Sequence, residues 1–251
     1  MLVARVTFRL EGEGRSRLVE RAYDLLSCWY KNGQVVSDGW PVVERGGSVE
    51  AMLRIPEADS LDAAHHNLYV RQVLAELLPM VPEVEVIGVE PASRMACQCA
   101  SRSALTFFTS YLSLDPPVRC LDCFGFVPLY ELPYVHDHEH LILLQWAADY
   151  RACDTLQMHC TTGERFGERQ LAEHDSSLSK NGRRLAADVE RLSGTPVYYY
   201  LHKMRSRGLP SELARKCPSC NAPWRLEQSV HGFDFQCRPC RLLSSVASDA
   251  S

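Results

Sequence analysis

The stretch CPSCNAPWRLEQSVHGFDFQCRPC, residues 217–240 of a 251-residue chain, contains two Cys-x-x-Cys pairs separated by sixteen residues. Between the pairs, WRLEQSV and FDFQC have the composition of strands, and His231-Gly232 joins them as a hairpin turn. A hairpin with one cysteine pair before its first strand and another at its end predicts a zinc ribbon. Asn221 after the first pair suits the left-handed backbone of such a knuckle, whereas Arg241 after the second pair suits it less well. The predicted zinc ligands are Cys217, Cys220, Cys237 and Cys240.

Disulfide bonds and redox chemistry explain these thiols less well than a metal does. The chain has eleven cysteines, an odd number, so complete disulfide pairing is impossible. The N-terminal MLVARVTFRL lacks the apolar core of a signal peptide, and no run of about 18 apolar residues occurs. We therefore expect a cytoplasmic protein with reduced thiols and no membrane association. A thioredoxin-like pair would open a helix after a strand, but Pro210 and the proline inside each pair oppose a helix.

A second cysteine set precedes the ribbon and is less regular. Cys97-x-Cys99 is followed, after twenty residues, by Cys120-x-x-Cys123. VRCLDCFGF resembles a knuckle, with Gly125 as a source of backbone freedom after it. We predict a second zinc ion here, so that the chain holds two zinc ions with four cysteine ligands each. Asp122 or a nearby histidine could replace one ligand, and four unrelated thiols remain the alternative.

Residues 1–92 have the pattern of a separate domain. LVARVTFRL, QVVS (34–37), SVEAMLRI (48–55) and VEVIGVE (84–90) predict strands, and helical patterns follow the first and third of them. The order β-α-β-β-α-β predicts a ferredoxin-like unit. RNA-recognition modules share this order, but EAMLRIP lacks the aromatic residues that such modules use for stacking. A scaffold or protein-contact role is therefore favoured for this domain.

The chain as a whole is predicted to be α+β, with four segments after the ferredoxin-like domain. They are a cysteine-rich zinc module at 93–135, a helical region with one strand (PVYYYL) at 136–212, the zinc ribbon at 213–245 and a disordered tail at 246–251.

No enzymatic motif is recognisable. HDHEH at 136–140, with His136, His138 and His140, is rich in ligand types, and Cys153 and Cys160 are candidate nucleophiles or ligands. The zinc deaminase signature, the glycine-rich phosphate loops and the nucleophile elbow are all absent. The sequence favours a non-enzymatic protein without excluding a metalloenzyme.

The charge distribution leaves two kinds of partner open. The formal net charge is −4, but residues 202–241 contain eight basic and three acidic residues. Four thiolates and one zinc ion add a charge of about −2, so some of these cations compensate the site itself. A solvated basic face and a nucleic-acid contact are both compatible with this pattern.

Several longer motifs resemble those of one bacterial family. SALTFFTSYLSLDPPVRCLDCFGFVPLYELP (103–133), DTLQMHCTTGERFGERQL (154–171), GTPVYYYL (194–201) and FDFQCRPCRLLS (233–244) are similar to a family of Zn-ribbon-containing proteins, domain of unknown function 2310. The resemblance runs from about residue 90 to 245. It implies zinc and suggests nucleic-acid binding, and it marks the 153–170 segment as part of the family's core.

Two main hypotheses for function remain, together with the weaker metalloenzyme hypothesis. The first is a protein that binds RNA or single strands, with Trp224, Phe233 or Phe235 stacked on bases. Its predicted phosphate contacts are Arg205, Arg207, Arg215, Lys216 and Arg225. The alternative is a zinc-stapled protein-interaction module, such as an adaptor or a toxin-neutralising partner. The oligomeric state stays open.

Overall fold

The computed structural model describes residues 1–9, 15–37, 39–206 and 208–250. It is an α+β structure with two sheets, and it divides into two compact units. The first unit comprises Met1–Ala96, Leu114–Pro116 and Gly125–Leu141. The second comprises Cys97–Ser113, Pro117–Phe124 and Ile142–Ser251. Both cysteine sets, which the sequence presents as separate modules, therefore belong to the second unit.

The first unit contains one antiparallel sheet and two α-helices among its described residues. The elements are β1 (Leu2–Arg9), α1 (Arg15–Lys31), β2 (Val42–Arg45), β3 (Ser48–Ile55), α2 (Leu68–Leu77) and β4 (Glu83–Val89), with short 3-10 helices at Ala63–His65 and Leu129–Glu131. The strand order is β2-β3-β1-β4, and every neighbouring pair is antiparallel. The second strand is Val42–Arg45 instead of the predicted 34–37. Within the predicted segment, Val36 donates one hydrogen bond to the carbonyl of Arg54, but residues 34–37 form no strand.

The alternation of apolar and polar residues along β1 and β3 accounts for much of the core of this unit. Ala4 and Val6 on β1 and Ala51 on β3 are fully buried on one face of the sheet, because side chains two residues apart point the same way. The apolar stripe of α1, which includes Leu25 and Trp29, is buried in the same cluster. Asn67 caps α2 by accepting a hydrogen bond from the amide of Val70 at 2.9 Å.

The second unit is built on a six-stranded mixed sheet. Its strands are β5 (Leu105–Phe107), β6 (Val118–Cys120), β7 (Val197–Leu201), β8 (Arg225–Val230), β9 (Phe233–Cys237) and β10 (Leu242–Ser244). Its helices among the described residues are α3 (Leu141–His159), α4 (Glu164–Ala172), α5 (Ser177–Ser193) and α6 (Leu209–Leu213), with a 3-10 turn at Ser248–Ala250. The strand order is β6-β5-β7-β10-β9-β8, and β7 is parallel to both of its neighbours.

The central strand β7 is buried along its whole length. Tyr199 on β7 packs edge-on against Trp146 of α3, with ring centroids 5.8 Å apart. Helix α5 approaches these rings at Gly182, where an added Cβ would lie 2.2 Å from the Tyr199 ring. The strand therefore lies between the β5–β6 pair, which carries the first cysteine set, and the β10–β9–β8 ribbon, which carries the second.

The end of the chain differs from the predicted disordered tail at residues 246–250. The amide of Val246 donates to the Asp234 carboxylate at 2.7 Å, and Ala247 is fully buried. The small side chain of Ala247 permits this burial, although the composition of the segment is polar. In the part of the chain that the structure describes, no helix has the length and apolarity needed to cross a membrane.

Candidate metal centres

The four ribbon cysteines form one compact group of sulfurs. The Sγ atoms of Cys217, Cys220, Cys237 and Cys240 all lie within 4.8 Å of one another. The sulfurs of Cys220 and Cys237 are 3.6 Å apart. Tetrahedral coordination with metal–sulfur bonds of about 2.3 Å places sulfurs about 3.8 Å apart, so the group has the spacing of a four-sulfur metal site.

Local backbone geometry explains why the two pairs meet. In each knuckle, the residue after the second cysteine has a left-handed backbone, with φ of 58° at Asn221 and 53° at Arg241. The amide of Asn221 donates to the carbonyl of Cys217 at 2.9 Å, which closes the first knuckle. The hairpin turn at His231 and Gly232 also has positive φ values, and it returns β9 beside β8, so that both pairs lie at the same end.

The earlier cysteines form a second group with the same spacing. The sulfurs of Cys97, Cys99, Cys120 and Cys123 lie within 4.8 Å of one another. The antiparallel pairing of β5 with β6 positions Cys120, which lies opposite Leu105. The left-handed residue of this knuckle is Phe124, with φ of 58°, and not the glycine that follows it.

Asp122 is not part of this group, so the structure gives no support to the alternative in which it replaces a cysteine ligand. Its carboxylate accepts a hydrogen bond from the amide of Ser103 at 2.8 Å and another from the Ser103 hydroxyl. Its own amide points to the Cys120 sulfur at 3.4 Å. Asp122 therefore orders the loop around the sulfurs without contributing a ligand atom to the group.

Hydrogen bonds distribute charge unevenly over the first set of thiols. Burial raises the pKa of Cys97, but hydrogen bonds from Arg102 and the neighbouring cysteines outweigh it and lower that pKa to about 7. The Arg102 Nε–Cys97 Sγ distance is 3.4 Å. Hydrogen bonds with Cys123 and Cys97 raise the pKa of Cys99 to about 11, and burial raises the pKa of Cys120 to about 12.

In the ribbon, too, one thiol has a lowered pKa while others have raised pKa values. A hydrogen bond from the backbone of Ala222, followed by one from Cys240, lowers the pKa of Cys220 to about 7. Burial raises the pKa of Cys217 and, more strongly, of Cys237. Because four close sulfurs resist ionising together, a dication is the counter-charge that permits all four to be thiolates.

The other predicted ligand types do not form a comparable group. Among the described residues, only the two cysteine sets bring three or more potential ligand atoms within 4.8 Å. His140 is buried against the Tyr134 ring, with centroids 4.8 Å apart, and burial lowers its pKa to about 3. Cys153 is buried, which raises its pKa, and Cys160 is exposed.

Two of the predicted phosphate contacts are engaged inside the protein. Arg205 is ion-paired with Glu164 and also lies 3.5 Å from Glu168. Arg215 packs over the Phe235 ring at 4.3 Å and lies 3.4 Å from Glu212. These contacts hold both guanidinium groups, and Glu212 is shared between Arg215 and Lys203.

The predicted stacking residues are buried in the ribbon. Trp224 is 3% exposed, and its indole donates to the carbonyl of Arg215 at 3.0 Å. Phe233 and Phe235 are also buried, because the ribbon uses its aromatic side chains as core. Arg207 lies outside the described residues.

The remaining cations of the ribbon are more available. Lys216 and Arg225 are exposed, as is Arg238, which sequence reasoning did not single out. No acidic partner is found for these three side chains in the described ranges. Sequence reasoning also missed His231, which stacks on Phe124 with centroids 5.1 Å apart and joins the ribbon turn to the first cysteine set. A lone histidine in a turn gives no signal of such a contact.

These features define a class: an α+β protein of two units, the second of which carries two four-cysteine groups on a single sheet. Comparison with known families specifies it further. Residues 99–202 match the family described as Domain of unknown function (DUF2310). Residues 1–88 and 206–250 match two further domains of unknown function, DUF8589 and DUF8594.

Two relatives from Haemophilus influenzae extend the comparison. One uncharacterized protein is 32% identical over 243 residues, which cover 94% of this chain and 92% of that protein. Another is 33% identical over 164 residues, which cover 65% of this chain and 81% of that protein. The chain therefore belongs to the DUF2310 family, which confirms the predicted resemblance for residues 99–202, whereas the ribbon lies in the segment that matches DUF8594. No solved structure matches the chain significantly.

Proposed function

We propose that both cysteine groups bind zinc and that the metal has a structural role. The ligands are Cys217, Cys220, Cys237 and Cys240 in one site and Cys97, Cys99, Cys120 and Cys123 in the other. Four soft thiolates in a closed set are typical of structural zinc, and no position is left for a substrate. Elemental analysis of the purified protein is expected to give two zinc ions per chain. Iron with a visible cluster absorption, or no metal, would contradict this assignment.

We also propose that the first unit has the ferredoxin-like fold and acts as a non-enzymatic scaffold. Its order β-α-β-β-α-β and its strand order β2-β3-β1-β4 support this assignment. The outer face of β3 carries no aromatic residue that would serve as a stacking platform.

For the second unit, we propose that the ribbon contacts the phosphates of RNA or single-stranded nucleic acid. The observation that carries this proposal is the group of three exposed cations without an acidic partner in the described chain, namely Lys216, Arg225 and Arg238. They contrast with Arg241, which is held by Glu190 at 2.9 Å. None of the three donates to a sulfur, whereas Arg102 fulfils that role in the first cysteine group.

Binding of this kind should depend on salt and only weakly on sequence. The ribbon aromatics are buried, so the free energy of binding comes mainly from phosphate contacts. Each single-strand phosphate contact adds about 0.7 to the log–log salt slope. Replacing Lys216, Arg225 and Arg238 together by Glu should therefore lower the slope by about 2.

The test is titration of labelled single- and double-stranded RNA and DNA at several salt concentrations. Lys180→Glu, at an exposed position on α5, is the control for a change of net charge and is compared with Lys216→Glu alone. A loss of affinity that is equal for both single variants would contradict a ribbon interface. Failure of the wild type to bind any of the four nucleic acids at low salt would reject nucleic-acid binding altogether.

A protein-interaction module, such as an adaptor or a toxin-neutralising partner, is the second candidate. The observation that favours it is a set of exposed apolar side chains in the first unit, including Leu78, Val81 and Val89. A pull-down from native lysate, with bound RNA and bound proteins both identified, discriminates between the two candidates.

A further inference from the structure

Strands β1 and β4 lie side by side, but only one of them is covered. In the register of the pair, Ala4 lies opposite Val86 and Val6 lies opposite Val84, so these side chains share one face of the sheet. Ala4 and Val6 are fully buried, whereas Val84 is 44% and Val86 is 41% exposed. The helices that cover β1 therefore leave the same face of β4 open.

The uncovered strand is also the edge of its sheet. Strand β4 pairs with β1 on one side, and no described strand pairs with its other side. All seven of its residues are exposed. Further exposed apolar side chains lie on β4 and in the loop before it, and Leu78, Val81, Ile87 and Val89 are 49–67% exposed. A long, apolar and unpaired edge strand is a template for pairing with another strand.

Charges along β4 are neutralised within the unit. Glu83 accepts two hydrogen bonds of 2.8 Å from the Arg9 guanidinium, which lower the pKa of Glu83. Glu85 is ion-paired with Arg5. A second edge of the same composition can therefore approach without carboxylate repulsion.

We propose that the edge of β4 pairs antiparallel with the edge of β4 of a second copy of this chain. The register of β4 on β1 shifts between Val86 and Gly88, so the new pairing is centred on the regular segment 83–86. Because Arg9 and Arg5 hold Glu83 and Glu85, the carboxylates of the two copies do not repel one another. It joins the two sheets into one of eight strands. It also brings the exposed valines of the two copies together.

A second copy of β4 provides both hydrogen-bond partners for the backbone of this edge and cover for its apolar side chains. A helix laid on the valines would cover apolar surface but would leave the outward amides and carbonyls of β4 to water. A second β4 supplies backbone partners and an equal apolar strip. Standard interfaces bury about 800 Å² per partner. Six partly exposed aliphatic side chains make a small interface by this standard, so we expect a reversible, concentration-dependent dimer.

Sedimentation velocity of the full-length zinc-loaded protein over a range of concentrations tests the proposal. The wild type should shift from monomer to dimer, and Val86→Lys should remain a monomer because it places a charge in the strip. Val43→Lys is the matched control, because Val43 is 52% exposed on β2 at the opposite edge of the same sheet. It should dimerise like the wild type.

Hydrogen exchange of the wild type provides a second measurement that needs no variant. The β4 amides that face away from β1 should become protected as the concentration rises, and the amides of β2 should not. A wild type that stays monomeric at every concentration overturns the proposal. So does a dimer that is disrupted by Val43→Lys but not by Val86→Lys, or one in which β4 gains no protection. None of these outcomes depends on nucleic-acid binding.

Discussion

In the first unit, sixteen buried apolar side chains among the described residues form one continuous core, whereas the ribbon at 213–245 buries five besides its cysteines. Those five are Trp224, Phe233, Phe235, Leu242 and Leu243. The first unit can offset the conformational entropy of its chain by hydrophobic burial alone. The ribbon buries too few apolar side chains for this, so we expect it to depend on a metal held by its four sulfurs. The two regions should therefore respond in opposite ways to loss of metal and to loss of apolar volume.

Removal of a ribbon ligand should have the largest effect. Structural zinc contributes about 10–16 kcal/mol to the folding of small peptides, which exceeds what five side chains supply. Cys237→Ser should therefore unfold residues 215–243 and leave the first unit folded. Hydrogen exchange measured residue by residue checks this. Retained amide protection in the ribbon of this variant would contradict the comparison, and Cys28→Ser is the control for removal of a thiol outside both groups.

The converse change is removal of core volume from the first unit. Phe8 is 1% exposed, and Phe8→Ala should lower the free energy of unfolding of this unit by about 3–5 kcal/mol. The content of two zinc ions should not change. Urea unfolding combined with elemental analysis checks both expectations. A loss of zinc in parallel with the loss of stability would show that the two units do not respond separately.

Overpacking of the second unit should have an intermediate effect. Gly182→Ala places a Cβ 2.2 Å from the Tyr199 ring and 2.5 Å from the Trp146 indole nitrogen. The displacement of α5 from these rings should cost about 3 kcal/mol. Gly194→Ala is less suitable as a control because of its left-handed backbone, so Ala187→Gly, at an exposed position on the same helix, serves instead. Equal stability of Gly182→Ala and the wild type in thermal unfolding would refute the close approach.

Acid should have the smallest effect on the first unit, mainly through His140, with a smaller contribution from His66, whose pKa is also lowered by burial. The pKa of His140 is about 3 in the folded protein, below its ordinary value of 6.5, because the side chain is buried. Between these values the unfolded chain binds the extra proton, so stability is complete above pH 6.5 and falls as the pH is lowered toward 3. At pH 5 the loss should be about 2 kcal/mol.

Resonances of the first unit, followed by NMR during urea unfolding, report this loss separately from acid release of metal in the second unit. His140→Phe should retain the contact with Tyr134 and remove most of the pH dependence between 6.5 and 5, leaving the part that comes from His66. A wild type with the same midpoint at both pH values would contradict the buried neutral histidine.

The sequence predicted those features that depend on neighbouring residues. The spacing of the cysteine pairs and the turn at His231 are local, so both sulfur groups followed from them. The alternation of Ala4, Val6 and Phe8 likewise predicted one buried face of β1. The second unit was harder, because its sheet joins strands that are more than 90 residues apart in the chain, such as β5 and β7.

The surroundings of the predicted surface residues could not be predicted for the same reason. Arg205 lies in a basic stretch and was therefore predicted to contact phosphate, but it is ion-paired with Glu164, 41 residues earlier in the chain. Trp224 resembled a stacking residue, but its burial depends on Arg215 and Phe235, whose positions are set by the ribbon fold. Pairings between distant residues decide which cations and aromatics remain at the surface, and no local pattern encodes them.

The parallel pairing of β7 with β10 also orders events during protein synthesis. Strand β7 ends at Leu201, but its neighbour β10 ends only at Ser244. While the ribosome translates the intervening residues, one edge of β7 has no partner strand, and its three consecutive tyrosines lack part of their final surroundings. The strands of the first unit are complete once Val89 has emerged and the whole unit once Leu141 has emerged, so that unit can fold while the second is still being made. We therefore expect chaperones that bind nascent chains to engage the region around residues 197–201 and to release it only when the last strand has arrived.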